Sequence, residues 1–565
     1  MGPRSGLVRG PLRDAKVQPV SRAGEAALLR GGQPERGRGL LPGLVPGWAR
    51  EMWPQLARGL LCGLVLLNAW ALANAQVQPA PQVPQPPPET PGALTSQDQV
   101  LTLAECVRLA LSRGFDLEIE SQSLLIAQDN VPIARSLFRP IFAATAGKSV
   151  ARSAADGDLA ASRNDIVDSG VGVSQRTLLG TQIALDLQNN RFETDPAVAA
   201  LNPAYTADAT LRLRQPLLKG FGTRINTQVI RRAEIGLDIA NNNYESRALD
   251  VIRDTENAYY FLTGARDQLQ VFRSSLQLAQ TLLSESQSRR AAGMATGLDV
   301  LQAEVGVANA RRAVLEAQRT VRASEDALAS LIGRFQFDTP LGPTSAEVDA
   351  TEQALPTTES SYERALEHFP ALQSARAALE VARLDVAFSR NDLLPSLDLD
   401  FAVGFNGDDS TRRGAFSGIS RPDGHTWQAG LTITYPLGRV AEKARFRQSR
   451  YALTQAELRA KQLEQDVLVS VRNAVRDVET SRESVDIAAQ AAELAQRQYE
   501  AETERFRAGL STSRRVLEAQ TDLESARVAN LQARLDLQTA RAALRRLEGT
   551  SLARYGITLD VPPAR

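Results

Sequence analysis

Two stretches of this chain, 217–339 and 437–561, contain no proline. Proline breaks a helix interior, because it lacks the backbone donor and its ring clashes with the preceding turn. Its absence over such lengths predicts long uninterrupted helices. Within 456–500, apolar or small residues recur at three- and four-residue spacing: Leu458, Leu463, Val467, Val471, Val475, Val478, Val485 and Ala489. Arg, Glu and Gln fill the other face, as an amphipathic helix requires. A helix of some 60 residues runs about 90 Å. Such a rod does not pack inside a compact domain; it belongs to a long assembly. Composition agrees. Only 5% of residues are aromatic and three are Met, a thin supply for one large globular core. Ala, Leu, Arg, Glu and Gln dominate instead, as in extended helices and coiled coils. The formal net charge of zero argues against a nucleic-acid binder that relies on bulk positive charge.

The body of the chain is a duplication. The segment Ala292-Gly293-Met294-Ala295-Thr296-Gly297-Leu298-Asp299 aligns with Ala508-Gly509-Leu510-Ser511-Thr512-Ser513-Arg514-Arg515 at an offset of 216. The offset holds down the next helix, where Leu331 meets Leu547 and Gly333 meets Gly549. Upstream, Leu211 to Leu217 matches Leu431 to Leu437 at offset 220, and Phe138-Arg139-Pro140 matches Leu393-Leu394-Pro395 at offset 255. The last difference marks an insertion in the first copy, between its strands. The chain therefore divides into a first repeat (99–340), a linker (341–358), a second repeat (359–550) and a tail (551–565). Each copy reads as short helix, strand, strand, very long helix, tip and long helix.

The strands have their own pattern. Leu397 to Phe405 alternates apolar with polar or small residues, as do Trp427 to Tyr435 and Ala207 to Gln215. Each is about nine residues, near the length a tilted strand needs to cross a bilayer. Phe138, Phe142, Phe401, Phe405, Trp427 and Tyr435 cluster here and suit a lipid–water interface. A soluble hairpin with one half-buried face would show the same alternation. The insertion, around Val171 to Asn190, reads as another hairpin turning at Gly180. It either lies outside the membrane or adds to the strands that cross it.

Export is written at the N-terminus. Residues 1–51 are rich in Gly, Pro and Arg and show no period. From Met52 the pattern changes: Arg58 supplies charge, Leu60 to Leu72 is an apolar run, and Ala73-Asn74-Ala75 is a small-x-small cleavage site. We read 52–75 as a signal peptide and 1–51 as a non-native or disordered extension; the rival is a cytoplasmic extension with a membrane anchor. Cleavage leaves 55 basic and 61 acidic residues, net −6. Residues 76–98 form a proline-rich linker. Cys62 lies in the signal peptide, so Cys106 is the only mature cysteine and forms no intramolecular disulfide. Its place in the apolar run Leu103 to Leu111 reads as a small core residue.

These features together resemble the TolC family of outer-membrane efflux proteins, over residues from about 100 to 550. The most specific pieces are Gln215-Pro216-Leu217-Leu218-Lys219-Gly220-Phe221-Gly222 at a strand-to-helix junction and the tips at Gly293 and Gly509. The resemblance implies a mainly α fold with a membrane β-barrel part. Duplicated strand–strand–long-helix units would form a homotrimer, each protomer giving four strands to a shared barrel and its helices to a periplasmic α-barrel. Closure between chains also follows from physics, since four strands alone would leave open edges in lipid. It further implies a passive exit duct in the outer membrane, opened at its periplasmic end, serving a tripartite efflux pump or a type I secretion system. Its partners would be a periplasmic adaptor protein, an inner-membrane transporter and outer-membrane lipid; no nucleic acid is expected. The adaptor would meet the tips at Gly293, Met294, Gly509 and Leu510. In such ducts acidic side chains ring the mouth. Asp299 falls at an acidic position of that pattern, whereas the second copy carries Arg515 and Glu518 where two acids are expected. Arg515 would pair with Glu518, with Asp299 or with a neighbouring protomer and latch the mouth shut; otherwise Arg514 and Arg515 are simply exposed.

No catalytic constellation is visible, and no enzyme activity or cofactor is expected. His368 and His425 lack metal-ligand spacing. Gly147-Lys148-Ser149 lacks the earlier glycine of a phosphate loop, since position 142 is Phe. Two rival readings are a periplasmic adaptor and a structural coiled-coil protein. An adaptor has one helical hairpin between Gly-Val-rich halves, where this chain has two hairpins and no such halves. The alternating strands speak against a plain coiled coil.

Overall fold

The computed structural model describes residues 101–152, 163–194, 200–333, 342, 356–421 and 424–559. The expectations for 1–51, 52–75 and 76–98, and most of the 341–358 linker, lie outside the described residues.

The described residues open with α1 (Leu103–Arg113) and α2 (Phe115–Ser136). Thr102 and Glu105 form a capping box that satisfies orphan donors at the start of α1. Pro140 then stops the helical path and four strands follow: β1 (Ile141–Arg152), β2 (Arg163–Arg176), β3 (Gln182–Thr194) and β4 (Ala204–Pro216). A single turn, α3 (Thr223–Asn226), leads into α4 (Gln228–Ala291) and back along α5 (Gly297–Leu331). The second copy repeats the plan with α6 (Thr358–His368), α7 (Pro370–Asn391), β5 (Ser396–Asp409), the short α8 (Arg412–Gly418) and β6 (His425–Thr434). It ends with α9 (Val440–Arg507) and α10 (Ser513–Glu548), and the tail carries α11 (Ser551–Arg554). The 64 residues of α4 and the 68 of α9 give rods of about 95–100 Å, as the proline-free stretches require.

One expectation is corrected. Each copy opens with a pair of helices rather than one short helix. Gly114 separates α1 from α2, and Pro370, whose missing donor costs nothing at a first helical position, starts α7 after Phe369. Among the described residues the strands number six, the four of the repeats plus the inserted hairpin. They form one antiparallel sheet in chain order, β1 to β6. The inserted hairpin β2–β3 turns at Gly180 as read, and sits inside the sheet between β1 and β4.

The sheet has two unlike faces, because side chains alternate along each strand. Phe142, Val173, Leu185, Leu211, Val403 and Trp427 form one row across all six strands. The opposite face is polar: Arg212 donates to Asp186 at 2.7 Å and Arg214 to Asp398 at 3.0 Å.

The duplication also appears in how the helices stack. The end of α5 meets the α1–α2 joint, where Gly333 lies so close to Arg113 that a Cβ would fall 2.9 Å from its carbonyl oxygen. The end of α10 meets the α6–α7 joint in the same way, with Gly549 against His368. Each joint carries its own core. One gathers Cys106, Ala110, Tyr259, Leu262, Leu328 and Ile332; the other Ala365, Phe369, Leu372, Val471, Val475 and Leu544. Cys106 is a fully buried core thiol, as its apolar run indicates. Between the cores, Glu256 on α4 is fully buried. It accepts from Arg545 of the second copy at 3.0 Å and from the Tyr555 hydroxyl at 2.6 Å. Burial, and then the Glu256 carboxylate, push the Tyr555 phenol well above its usual range, so it remains a donor.

Candidate functional site at the helix tips

Far from the sheet, each long hairpin turns on a left-handed glycine. Gly293 has φ 73° and Gly509 has φ 74°. The amide of Gly293 bonds the Arg290 carbonyl at 3.0 Å, and that of Met294 bonds the Arg289 carbonyl at 2.8 Å. Gly509 and Leu510 repeat the pattern onto Phe506 and Arg505 at 3.0 and 2.8 Å. This closes the last carbonyls of α4 and α9 in a Schellman-type cap. It leaves the next side chain outward: Met294 is 74% exposed and Leu510 75%.

Four contacts bring the two tips together. The Arg289 guanidinium lies 4.2 Å from the centre of the Phe506 ring. Leu282, Phe506 and Val516 form a small core. Gly306 leaves room for Leu517, whose Cδ2 a Cβ there would meet at 2.8 Å. The Ser513 hydroxyl donates to Asp299 at 3.2 Å.

Asp299 is the third residue of α5, and it works as a cap. Its Oδ2 accepts from the Thr296 amide at 2.9 Å and the Thr296 hydroxyl at 2.6 Å, while its own amide donates to that hydroxyl. The hydroxyl bond and then the amide bond of Thr296 hold the carboxyl below its usual range, helped by Ser513. The spacing Thr296-x-x-Asp299 is a capping signature and was open to sequence reading. Ser513 was not, because its role depends on the two hairpins meeting.

The equivalent third residue of α10 is Arg515, and Thr512 makes no side-chain cap there. Arg515 is exposed and forms no ion pair among the described residues. Glu518 instead pairs with Arg514 at 2.9 Å, one helical turn away. The structure thus gathers Asp299, Arg515 and Glu518 near one end without pairing Arg515 to either acid within the chain. Among the described residues no group of His, Cys, Asp or Glu is arranged to hold a metal.

The capping role has a measurable consequence. Asp299→Ala is expected to weaken the start of α5 by about 1 kcal/mol, seen as faster amide exchange over 297–301 with α4 unchanged. Acid should act likewise. A carboxyl whose folded pKa is depressed adds stability above its unfolded pKa of about 3.9 and loses it as pH falls through the folded value. Protection at these amides, corrected for intrinsic exchange, should therefore hold from pH 7 to about 4 and fall below that. A uniform profile to lower pH would remove this role.

Comparison with known proteins agrees with this architecture. Residues 106–334 and 361–550 match the family described as outer membrane efflux protein. The chain is 25% identical over 352 residues to the outer membrane efflux protein BepC of Brucella suis, spanning 62% of this chain and 73% of that one. It is 24% identical over 494 residues to protein CyaE of Bordetella pertussis, spanning 86% and 91%. Its fold is similar to that of the Campylobacter jejuni CmeC outer membrane channel, with a TM-score of 0.60 and 19% identity over 80% of this chain and 86% of that one. With two repeats, two helical hairpins and a strand sheet all inside the matched region, the chain belongs to the outer membrane efflux protein family, whose channels lie in the outer membrane and extend helices into the periplasm.

Proposed function

We propose that this chain is one protomer of a trimeric exit duct that does no chemistry of its own. The observation that carries it is the open sheet. Among the described residues β1 pairs only with β2 and β6 only with β5, so both edges of this sheet carry backbone groups that it does not pair, which lipid does not tolerate. Each protomer must therefore close on copies of itself. In this reading the periplasmic tips meet an adaptor protein through Gly293, Met294, Gly509 and Leu510, and energy comes from an inner-membrane transporter. The protein should run on a gel as an SDS-resistant trimer that collapses to monomer on boiling. A monomer in unheated detergent extracts of outer membranes would reject the closed barrel.

The mouth is latched by charge. Arg515 is exposed at the tip and carries no ion pair among the described residues, which leaves it for an acid on the neighbouring protomer. Exposed pairs are worth about 0–1 kcal/mol each. Threefold repetition makes that roughly 1–3 kcal/mol, enough to bias a two-state mouth. Arg515→Asp should raise single-channel conductance in planar bilayers, more so at low salt, where screening is weak. The helix start should survive the change, because an acid at this third position suits Thr512 and the helix dipole. Unchanged conductance at both salt concentrations, in a variant that still trimerises, would leave Arg515 as solvated surface.

A further inference from the structure

We propose that the inserted hairpin β2–β3 is part of the barrel wall, so that the closed ring holds eighteen strands, six from each of three protomers. This rests on the trimeric reading above.

The first argument is the register. Val173 of β2 and Leu185 of β3 continue the apolar row that runs from Phe142 to Trp427. The next row does the same, placing Val171 and Leu187 beside Ala144, Ala209 and Phe405. On the reverse face the hairpin supplies Asp168, Asp186 and Gln188, whose rows continue to Thr206, Thr210 and Asp208 of β4. A hairpin lying outside the membrane has no reason to keep a lipid face and a water face in phase with its neighbours. A wall strand must keep both. The faces cannot be exchanged, since that would turn Asp186, Asp208, Arg212, Arg214, Asp398 and Asp400 toward lipid.

The second argument is how the hairpin is tied. Its five-residue turn, 177–181, lies beside the junction where β4 passes into the helices. The Gly222 amide donates to the Leu179 carbonyl at 3.2 Å. Arg176 donates to Asn226 at 2.7 Å, and the Asn226 side-chain amide donates to the Gly220 and Gly222 carbonyls at 2.8 and 2.9 Å. The Thr181 and Gln215 side chains are hydrogen-bonded at 2.5 Å. Gly180 adopts φ 97°, and a Cβ there would lie 2.7 Å from both Asn226 and Gly220. The turn is thus built into the helix-side rim of the sheet, where outer-membrane barrels place their short turns.

The third argument is polarity. β1 and β6 are antiparallel because five antiparallel pairings separate them. The β6 edge of one copy therefore meets the β1 edge of the next in the same sense as every other pair, and the ring closes with an even strand number. At about 4.8 Å between strands and a tilt of about 40°, eighteen strands enclose a wall roughly 36 Å across, against roughly 24 Å for twelve. The bore is thus about 1.5-fold wider than four strands per protomer would give.

Electron cryomicroscopy of the full chain in lipid nanodiscs separates these readings. Three-fold symmetry with six wall strands per protomer is the expected result. Three-fold symmetry with four wall strands per protomer, and the 163–194 segment outside the wall or in the lumen, overturns the inference and leaves the duct intact. A ring of another symmetry with six wall strands per protomer upholds the wall assignment but overturns both the trimer and the eighteen-strand count. A chain that closes no ring overturns both readings.

Discussion

Glu256→Ala is expected to be among the most damaging single substitutions in the helical part. Glu256 is fully buried and receives Arg545 from the second copy and Tyr555 from the C-terminal tail, tying the two repeats together away from both sheet and tips. Removing it leaves the Arg545 side chain, only 14% exposed, without its counter-charge. It also leaves the Tyr555 hydroxyl without its acceptor. Breaking a buried pair in this way costs about 3–5 kcal/mol, because the surviving charge stays desolvated. The thermal midpoint of the helical signal should fall accordingly. Glu256→Ala with Arg545→Ala should recover part of the loss, since removing both partners leaves no orphan charge. A double variant as unstable as the sum of its singles would show that the pair is not coupled.

Leu185→Arg should prevent assembly of the barrel. Leu185 sits in the middle of the apolar row. An arginine facing lipid near the bilayer midplane costs about 2–4 kcal/mol per chain, and each ring contains the substitution three times. The SDS-resistant trimer should be lost. Gln188→Arg, three residues along the same strand, points to the opposite face and near Asp208. It should assemble normally. Equal behaviour of the two variants would mean that β3 does not divide lipid from water.

Much of this was legible in the residues, for identifiable reasons. The long helices follow from proline-free, helix-periodic runs, a signal that sums over many residues. The tips follow from Gly293 and Gly509, where only glycine adopts the required φ without strain. Pro140 and Pro395 mark the entries to β1 and β5, because both sit where a helix must yield to a strand. The strand count was not legible from the resemblance alone. Register decides whether Val171 to Asn190 joins the sheet, and register is a tertiary property. The charges at the tips were half legible. Asp299 has an acid's place in the repeat, but its capping by Thr296 is local chemistry that the repeat comparison hides. The repeat comparison singles out Arg515, whereas Glu518 pairs with its neighbour Arg514, one helical turn away.

In the proposed duct the sheet crosses the outer membrane while the tips hang in the periplasm. Paired epitopes test it. One is inserted after Ser420, in the connection between β5 and β6, and another between Leu510 and Ser511, at the second tip. On intact cells, antibody should label the first and not the second; permeabilising the outer membrane should expose both. Labelling of the tip on intact cells, or of neither site before permeabilisation, would contradict the topology.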